Sequence, residues 1–158
     1  MAAAKPIPDG YHSITPYLSV KGAAEAITYY QRAFGAVEVY RLPMPDGRIG
    51  HAELQFGDSR VMLADEMPEM PDILMRSPAT LNGTSVGVVL YVKDVDAAFA
   101  QALAVGGTVK RPVKTQFYGD RSGTLEDPFG HIWTLNTHVE DVSPDEIARR
   151  VAAMPQQG

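Results

Sequence analysis

An internal repeat is the feature that most constrains what this chain can fold into. Both halves show the same order of predicted elements: a strand, a helix and three further strands. A shift of about 72 residues lays Val20-Lys21 on Val92-Lys93 and Gly35 on Gly107. Identity between the halves is slight, but the order of elements repeats. The sequence therefore predicts a duplicated βαβββ unit, which is an α+β arrangement.

The first module is predicted to cover about residues 7–66. Apolar residues recur at helical spacing from Ala23 to Phe34, and Gly35 follows where a helix C-terminus favours a residue that tolerates positive φ. Residues 49–56 alternate in polarity, which is typical of a strand with one buried face. The other strands predicted in this module cover residues 14–20, 37–42 and 60–64.

A connector rich in Met and Pro, residues 67–83, leads to a second module at about residues 84–138. Its methionines either form an adaptable apolar cover over a cleft or belong to a plain linker. In the second module, a helix over residues 97–103 follows Asp94 and Asp96, either of which can cap it. The strands predicted there cover residues 86–92, 109–117, 122–126 and 132–136.

A last helix is predicted within residues 143–154. Ser143 is suited to cap it, Pro144 suits the first helical position, and Glu146 completes a capping box. Ile147, Val151 and Met154 would form an apolar stripe, which could contact the rest of the domain or a second subunit.

Composition excludes several classes of function. The formal net charge of −5 and the scattered basic residues argue against a nucleic-acid surface. No apolar run approaches the length that a bilayer-spanning helix needs, so no membrane contact is expected. The chain has no cysteine, which excludes disulfides and thiolate ligands. Residues 1–10 show no export-signal pattern, so a cytoplasmic location is expected.

Three segments of the chain resemble one family. PYLSVKGAAEAITYYQRAFGA, GRIGHAELQFGDSRVMLADE and YGDRSGTLEDPFGHIWTLNTHVEDVS are similar to the vicinal oxygen chelate superfamily of glyoxalase I, bleomycin-resistance proteins and dioxygenases, in particular its PhnB-like branch. The resemblance runs from Ile7 to Arg149. It implies that the two modules form curved mixed sheets around a ligand cleft, and it favours a homodimer. Function varies within the superfamily, so the fold does not settle the chemistry.

The resemblance also implies where a metal would be held. Metal-dependent members place His or Glu ligands on the first and last strand of each module, and divalent metals favour these donors. The matching positions here are Thr15, Leu63, Gly87 and Thr134. None of these side chains is a strong ligand, so no metal and no other cofactor is expected. Glyoxalase I activity, which needs a metal and a proton-moving Glu, is not expected either.

Three side chains are candidates for acid–base chemistry. His51 and Glu53 are two residues apart on one strand and so share a face. Glu126 occupies the pseudo-equivalent strand of the second module, on a face shared with Asp120, Ser122 and Thr124. A His with carboxylates across a cleft could act as an acid–base pair. Alternatively, these groups only bond within the sheets or face water.

Strand parity and the resemblance together give a predicted ligand site of mixed polarity, which is the usual composition of a small-molecule pocket. Arg121 could receive an anionic group through its guanidinium, or it could form an ion pair with Asp120 or Asp127. Trp133 is expected behind the sheet, and His12 and His138 have no evident partner. The predicted ligand-binding residues are Thr15, Tyr17, Leu63, Tyr91, Phe117, Tyr118, Arg121 and Thr134.

Three hypotheses for function follow. The leading one is a metal-independent protein that binds a small, partly aromatic molecule in its cleft or at a dimer interface. The second is a lyase or isomerase that uses His51, Glu53 or Glu126, with or without a non-standard metal site. The third is a structural or partner-binding role in which the last helix makes the contact.

Overall fold

The computed structural model describes residues 4–155, and the first three residues of the segment 1–10 lie outside that range. Its strands form two four-stranded sheets, which we call sheet A and sheet B, with orders β1-β4-β3-β2 and β5-β8-β7-β6. The predicted α+β fold of two βαβββ units is confirmed. The elements are β1 Tyr17–Val20, α1 Ala23–Phe34, β2 Val37–Pro43, β3 Ile49–Phe56, β4 Ser59–Asp65, α2 Pro78–Leu81, β5 Gly87–Tyr91, α3 Val95–Ala104, β6 Thr108–Thr115, β7 Asp120–Glu126, β8 Ile132–His138 and α4 Pro144–Ala152.

The two sheets have the same pairing pattern. The first strand of each module runs parallel to the last, and the remaining pairs are antiparallel. β1 is shorter than predicted, because it begins only after Pro16, which has no N–H for the ladder. β7 begins two residues earlier and β8 ends two residues later than predicted, and this extension pairs Asp120 with His138.

Both modules stabilise the start of their helix from the end of their last strand. Gly22 precedes α1 and has no side chain to cap it, so Asp65 accepts hydrogen bonds from the backbone N–H groups of Gly22 and Ala23 at 2.8 and 2.9 Å. In the second module Thr137 accepts the N–H of Val95 at 2.9 Å, and Asp94 caps α3 with its own carboxylate. The C-terminus of α1 ends at Gly35 with φ 67°, as predicted.

One hydrophobic core joins the two modules. α1 packs against α3, and one face of each sheet packs against these helices. Trp133 of β8 is fully buried, and its ring centroid lies 4.7 Å from that of Phe34 and 5.5 Å from that of Phe56. The prediction that Trp133 lies behind the sheet is therefore confirmed. We call the face of each sheet that turns away from this core its outer face.

The last helix packs less closely. Ser143 caps α4 through the N–H of Glu146, as predicted, but the Glu146 side chain bonds to arginines of its own helix rather than closing the capping box. Val151 and Met154 stay exposed. No helix between residues 4 and 155 is long and apolar enough to cross a membrane.

Candidate functional site

A hydrogen-bonded cluster lies on the outer face of sheet A. β1 pairs with β4 and β4 with β3, so Tyr17 and His51 lie on the same face. The Tyr17 hydroxyl is 2.7 Å from His51 Nδ1, and His51 Nε2 is 3.3 Å from Glu53 Oε1. A carboxylate only accepts, so Nε2 carries the proton and Nδ1 accepts from Tyr17. The structure thus brings together two of the three predicted acid–base residues with one predicted ligand residue.

Glu53 connects this cluster to Arg60, whose Nη1 lies 3.2 Å from Glu53 Oε2 and whose guanidinium lies over the Tyr11 ring. The Tyr11 hydroxyl, the His51 ring and the Arg60 charge hold the pKa of Glu53 below its usual value. Burial raises the pKa of Tyr17, and the Glu53 charge raises it further. Glu53 is therefore a stable anion, and Tyr17 remains a protonated donor.

Thr15 lies just before β1. It lines a surface cavity of about 540 Å³ together with Tyr11, Glu53, Arg60 and Met62. The predicted ligand residue Thr15 is therefore next to the sheet A cluster.

A second polar cluster lies on the outer face of sheet B. Asp120 is only 5% exposed, and it accepts from the Tyr91 hydroxyl at 2.9 Å, from Asn136 Nδ2 at 3.3 Å and from His138 Nδ1 at 2.8 Å. His138 Nε2 bonds to exposed Asp141. Both carboxylates raise the pKa of His138, and the Asp141 carboxylate has the larger effect. The expectation that His138 has no partner is wrong.

The remaining outer-face contact of sheet B is a pair of hydroxyls. Thr124 Oγ1 lies 3.0 Å from Thr134 Oγ1, and Arg111 reaches across from the edge strand to bond Thr124. Thr134 therefore faces outward, as predicted. The Arg111 guanidinium beside this pair was not among the predicted site residues.

Two predicted ligand residues lie on the wrong side of their sheets. Leu63 is fully buried in the core, so Met62 and Ala64 are the β4 residues that face outward. Arg121 also lies on the helix-covered side, where it forms two 2.7 Å bonds with Asp96 of α3. The alternative of an ion pair holds for Arg121, but with Asp96 rather than with Asp120 or Asp127.

Three further predicted residues lie apart from the sheet A cluster. Glu126 shares the outer face of sheet B, as predicted, but forms an ion pair with Lys110 at 2.5 Å. Phe117 and Tyr118 lie in the turn between β6 and β7 with their rings edge to face. The Phe117 carbonyl accepts a bond from Arg150 of α4. These residues do not contact His51 or Glu53.

A cavity of about 690 Å³ lies where the two sheets meet. Its wall combines outer-face residues of both modules, Tyr17 and Val89, with the connector residues Leu74 and Met75. His131 Nε2 bonds to the Ser19 carbonyl here and ties the second module to β1. Part of the Met-rich connector thus covers an apolar cavity, whereas Met70 is exposed and Met67 is buried in the protein.

The four positions matched to metal ligands do not form a chelating set. Within residues 4–155, no three His, Asp or Glu side chains converge in the way that a metal ion needs. In the sheet B cluster, the two carboxylates bond to opposite nitrogens of His138, so all three cannot ligate one ion.

Comparisons with known proteins agree with this architecture. The family model described as the Glyoxalase/Bleomycin resistance protein/Dioxygenase superfamily matches residues 10–135. An uncharacterised protein of Mycobacterium bovis is 45% identical over 146 residues, which cover 92% of this chain and 94% of that protein.

Solved structures show the same fold. TioX from Micromonospora is 25% identical with a TM-score of 0.63, and the alignment covers 81% of this chain and 99% of TioX. A PhnB protein from Bacillus cereus, described as a putative 3-demethylubiquinone-9 3-methyltransferase, is 20% identical with a TM-score of 0.61, covering 80% and 99%. With the family match over residues 10–135, these likenesses lead to one conclusion: the chain belongs to the glyoxalase/bleomycin resistance protein/dioxygenase superfamily.

Proposed function

We propose that this protein binds a small, partly aromatic molecule in a cleft that forms between two copies of the chain. In the proposed dimer, the outer face of sheet A in one copy lies opposite the outer face of sheet B in the other. The observation that carries the proposal is the shared core. Both helix-covered faces belong to it, so both outer faces turn away from it and need a second copy to enclose them.

Exposed apolar side chains on these outer faces support the proposal. Tyr40 and Leu42 flank the sheet A cluster, and about half of each side chain is exposed. On sheet B, Val89 and Tyr91 are 57% and 62% exposed. Exposed aromatic and aliphatic residues beside a few converging polar groups are typical of ligand sites and of interfaces. The proposal places the protein in the cytoplasm, in keeping with a chain that has no cysteine.

The oligomeric state tests the first part of the proposal. Sedimentation should show a dimer, and Leu42→Asp or Val89→Asp should shift it to monomer, because each places a charge at the interface. Val151→Asp on α4 is the matched control, since Val151 is 49% exposed but lies on the last helix. A monomeric wild type would contradict this arrangement. Loss of the dimer only with Val151→Asp would also contradict it and would favour the last helix as the contact.

Ligand binding tests the second part. Thermal-shift measurements against bleomycin and other small aromatic compounds should find one that stabilises the wild type. Tyr91→Leu and Tyr17→Leu should reduce that stabilisation, because both side chains present an aromatic ring and a hydroxyl on the proposed cleft. Stabilisation that both variants retain in full would place the ligand elsewhere on the protein.

A second candidate function is proton transfer, which the Tyr17–His51–Glu53 chain of hydrogen bonds supports. Glu53 fixes the tautomer of His51, so Nδ1 could take a proton through the Tyr17 hydroxyl. If a ligand is converted during screening, His51→Gln should lower kcat by about 10²-fold or more. Glu25→Gln, an exposed carboxylate on α1 and away from both outer faces, should leave kcat unchanged. Equal loss in both variants would argue against this chain of bonds.

A further inference from the structure

The outer face of sheet B contains a chain of hydrogen bonds with a fixed direction. Arg111 is on the edge strand β6, opposite Thr124 of β7, which in turn lies opposite Thr134 of β8. Arg111 donates two bonds to Thr124 Oγ1, from Nε at 3.2 Å and from Nη2 at 3.0 Å. These occupy both lone pairs of the Thr124 hydroxyl. Thr124 must therefore donate its own proton to Thr134, 3.0 Å away.

Donors are left over at both ends of this chain. Thr134 accepts from Thr124, so its own O–H is free to donate outward. Arg111 has five N–H groups and uses two of them on Thr124, which leaves three. The bonds polarise one another, which strengthens the terminal donor.

The charge beside this chain of bonds matches its surplus of donors. Lys114 pairs with Ser122 in the β6–β7 register and so lies on the same face as Arg111. Neither cation forms an ion pair with any residue between 4 and 155, whereas neighbouring Lys110 is paired with Glu126. Cations and prolines are common on edge strands, where they prevent pairing with other chains. That role does not explain why Arg111 folds back over the sheet to the hydroxyl of Thr124, a residue that is only 5% exposed.

We propose that Arg111, Thr134 and Lys114 form a subsite for an oxyanion, a carboxylate or phosphate group of the bound ligand. An oxyanion offers only acceptors and a negative charge, which the two unpaired cations and the free hydroxyl of this group would bind. The subsite deepens the proposed function, because sheet A of a second copy would close over it. All three residues come from one chain, so anion binding can be detected whether or not the dimer forms.

Anion titration followed by NMR tests the subsite, with inorganic phosphate and acetate as probes and acetamide as the neutral comparison. Phosphate or acetate should shift the signals of residues 111, 124 and 134 and saturate, whereas acetamide should not. Arg111→Gln should weaken binding about 10-fold or more, and Thr134→Val about 5-fold. The ratio of the two anion affinities identifies which group the subsite prefers.

Lys110→Gln is the matched control, since it removes a cation from the same strand but one already paired with Glu126. Its affinity for the anion should equal that of the wild type. Equal weakening by Lys110→Gln and Arg111→Gln would mean general electrostatic attraction and would overturn the subsite, as would no saturable shift. If no anion bound, a dimer and stabilisation by a neutral ligand could still be observed, so failure of the subsite would not imply failure of the proposed function.

Discussion

Asp127, in the turn between β7 and β8, is a buried carboxylate that organises its surroundings. It is 3% exposed and accepts bonds from the Tyr30 hydroxyl at 2.7 Å and from Trp133 Nε1 at 2.9 Å. Its second oxygen accepts the backbone N–H groups of Phe129 and His131. A side chain of this kind stabilises the core and lies outside the proposed ligand site.

Asp127→Ala should therefore destabilise the protein by about 3 kcal/mol, because it leaves the Tyr30 hydroxyl and the Trp133 N–H buried without an acceptor. Urea unfolding measures the change. Asp58→Ala, in the exposed turn of the first module, is the control and should cost less than about 0.5 kcal/mol. A similar loss in both variants would show that turn sequence, rather than burial, sets the effect.

His138 predicts a pH dependence of stability. Its pKa is raised in the folded protein by Asp141 and Asp120, above the ordinary value of about 6.5 that it has when unfolded. The stabilisation is therefore complete below about pH 6.5 and is lost as the pH rises through the folded pKa. Tyr91 and Asn136 complete the surroundings of Asp120.

The wild type should accordingly be more stable to unfolding than His138→Gln, and the difference should be larger at about pH 5.5 than at about pH 9. Chemical denaturation of both proteins at each pH gives the comparison. A difference that grows with pH, or NMR titration of His138 with an unshifted pKa, would contradict this reading of the cluster.

At the scale of elements, the two helix starts differ in a way that can be measured. One oxygen of Asp65 accepts hydrogen bonds from the N–H groups of Gly22 and Ala23, and the other accepts one from the N–H of Ile49 at 2.7 Å. α1 thus depends on one side chain, while α3 has both Asp94 and Thr137.

Asp65→Ala should cost about 2 kcal/mol in urea unfolding, and Asp94→Ala about 1 kcal/mol, because Thr137 still serves the start of α3. The double change of Asp94 and Thr137 to Ala should approach the cost of Asp65→Ala. A larger cost for Asp94→Ala than for Asp65→Ala would refute this account of the caps.

The elements also show what sequence patterns can and cannot predict. α1 and β3 have the predicted bounds, because a 3.6-residue period and a clean alternation both mark them. Residues 61–64 of β4 are all apolar, so they carry no parity signal, and the family resemblance alone places Leu63 in the ligand site. Arg121 could have been placed correctly, since it alternates with Asp120 and Ser122.

The missed sheet B cluster has a similar cause. The prediction ended β8 at Asn136, but the hairpin register that pairs Glu126 with Ile132 also pairs Asp120 with His138. Extending that register by two residues would have found the contact. The direct bond between Arg111 and Thr124 could not have been found in this way, because β6 has irregular register between Val109 and Lys114.

At the scale of the whole molecule, the shared core predicts that the modules unfold together. Trp133 belongs to the second module, but its neighbours Phe34 and Phe56 belong to the first. Urea unfolding followed by Trp133 fluorescence and by far-UV circular dichroism should give coincident transitions.

Phe56→Ala, in the first module, should shift both transitions equally, by about 3–5 kcal/mol, because it opens a cavity beside Trp133. Val39→Ala is the exposed control in the same module and should change stability by less than about 0.5 kcal/mol. Transitions that separate in Phe56→Ala would mean that the modules are independent.

The core also divides the molecule into surfaces with different freedom to evolve. Substitutions among the inward-facing residues of either module endanger the stability of both, so that side of the duplication is constrained to change slowly. Side chains on the outer faces contribute little to that stability, and a mutation there can alter recognition without endangering the fold. A lineage built on this framework can therefore acquire new ligand preferences one surface residue at a time, which fits the diversity of activities in the superfamily's name.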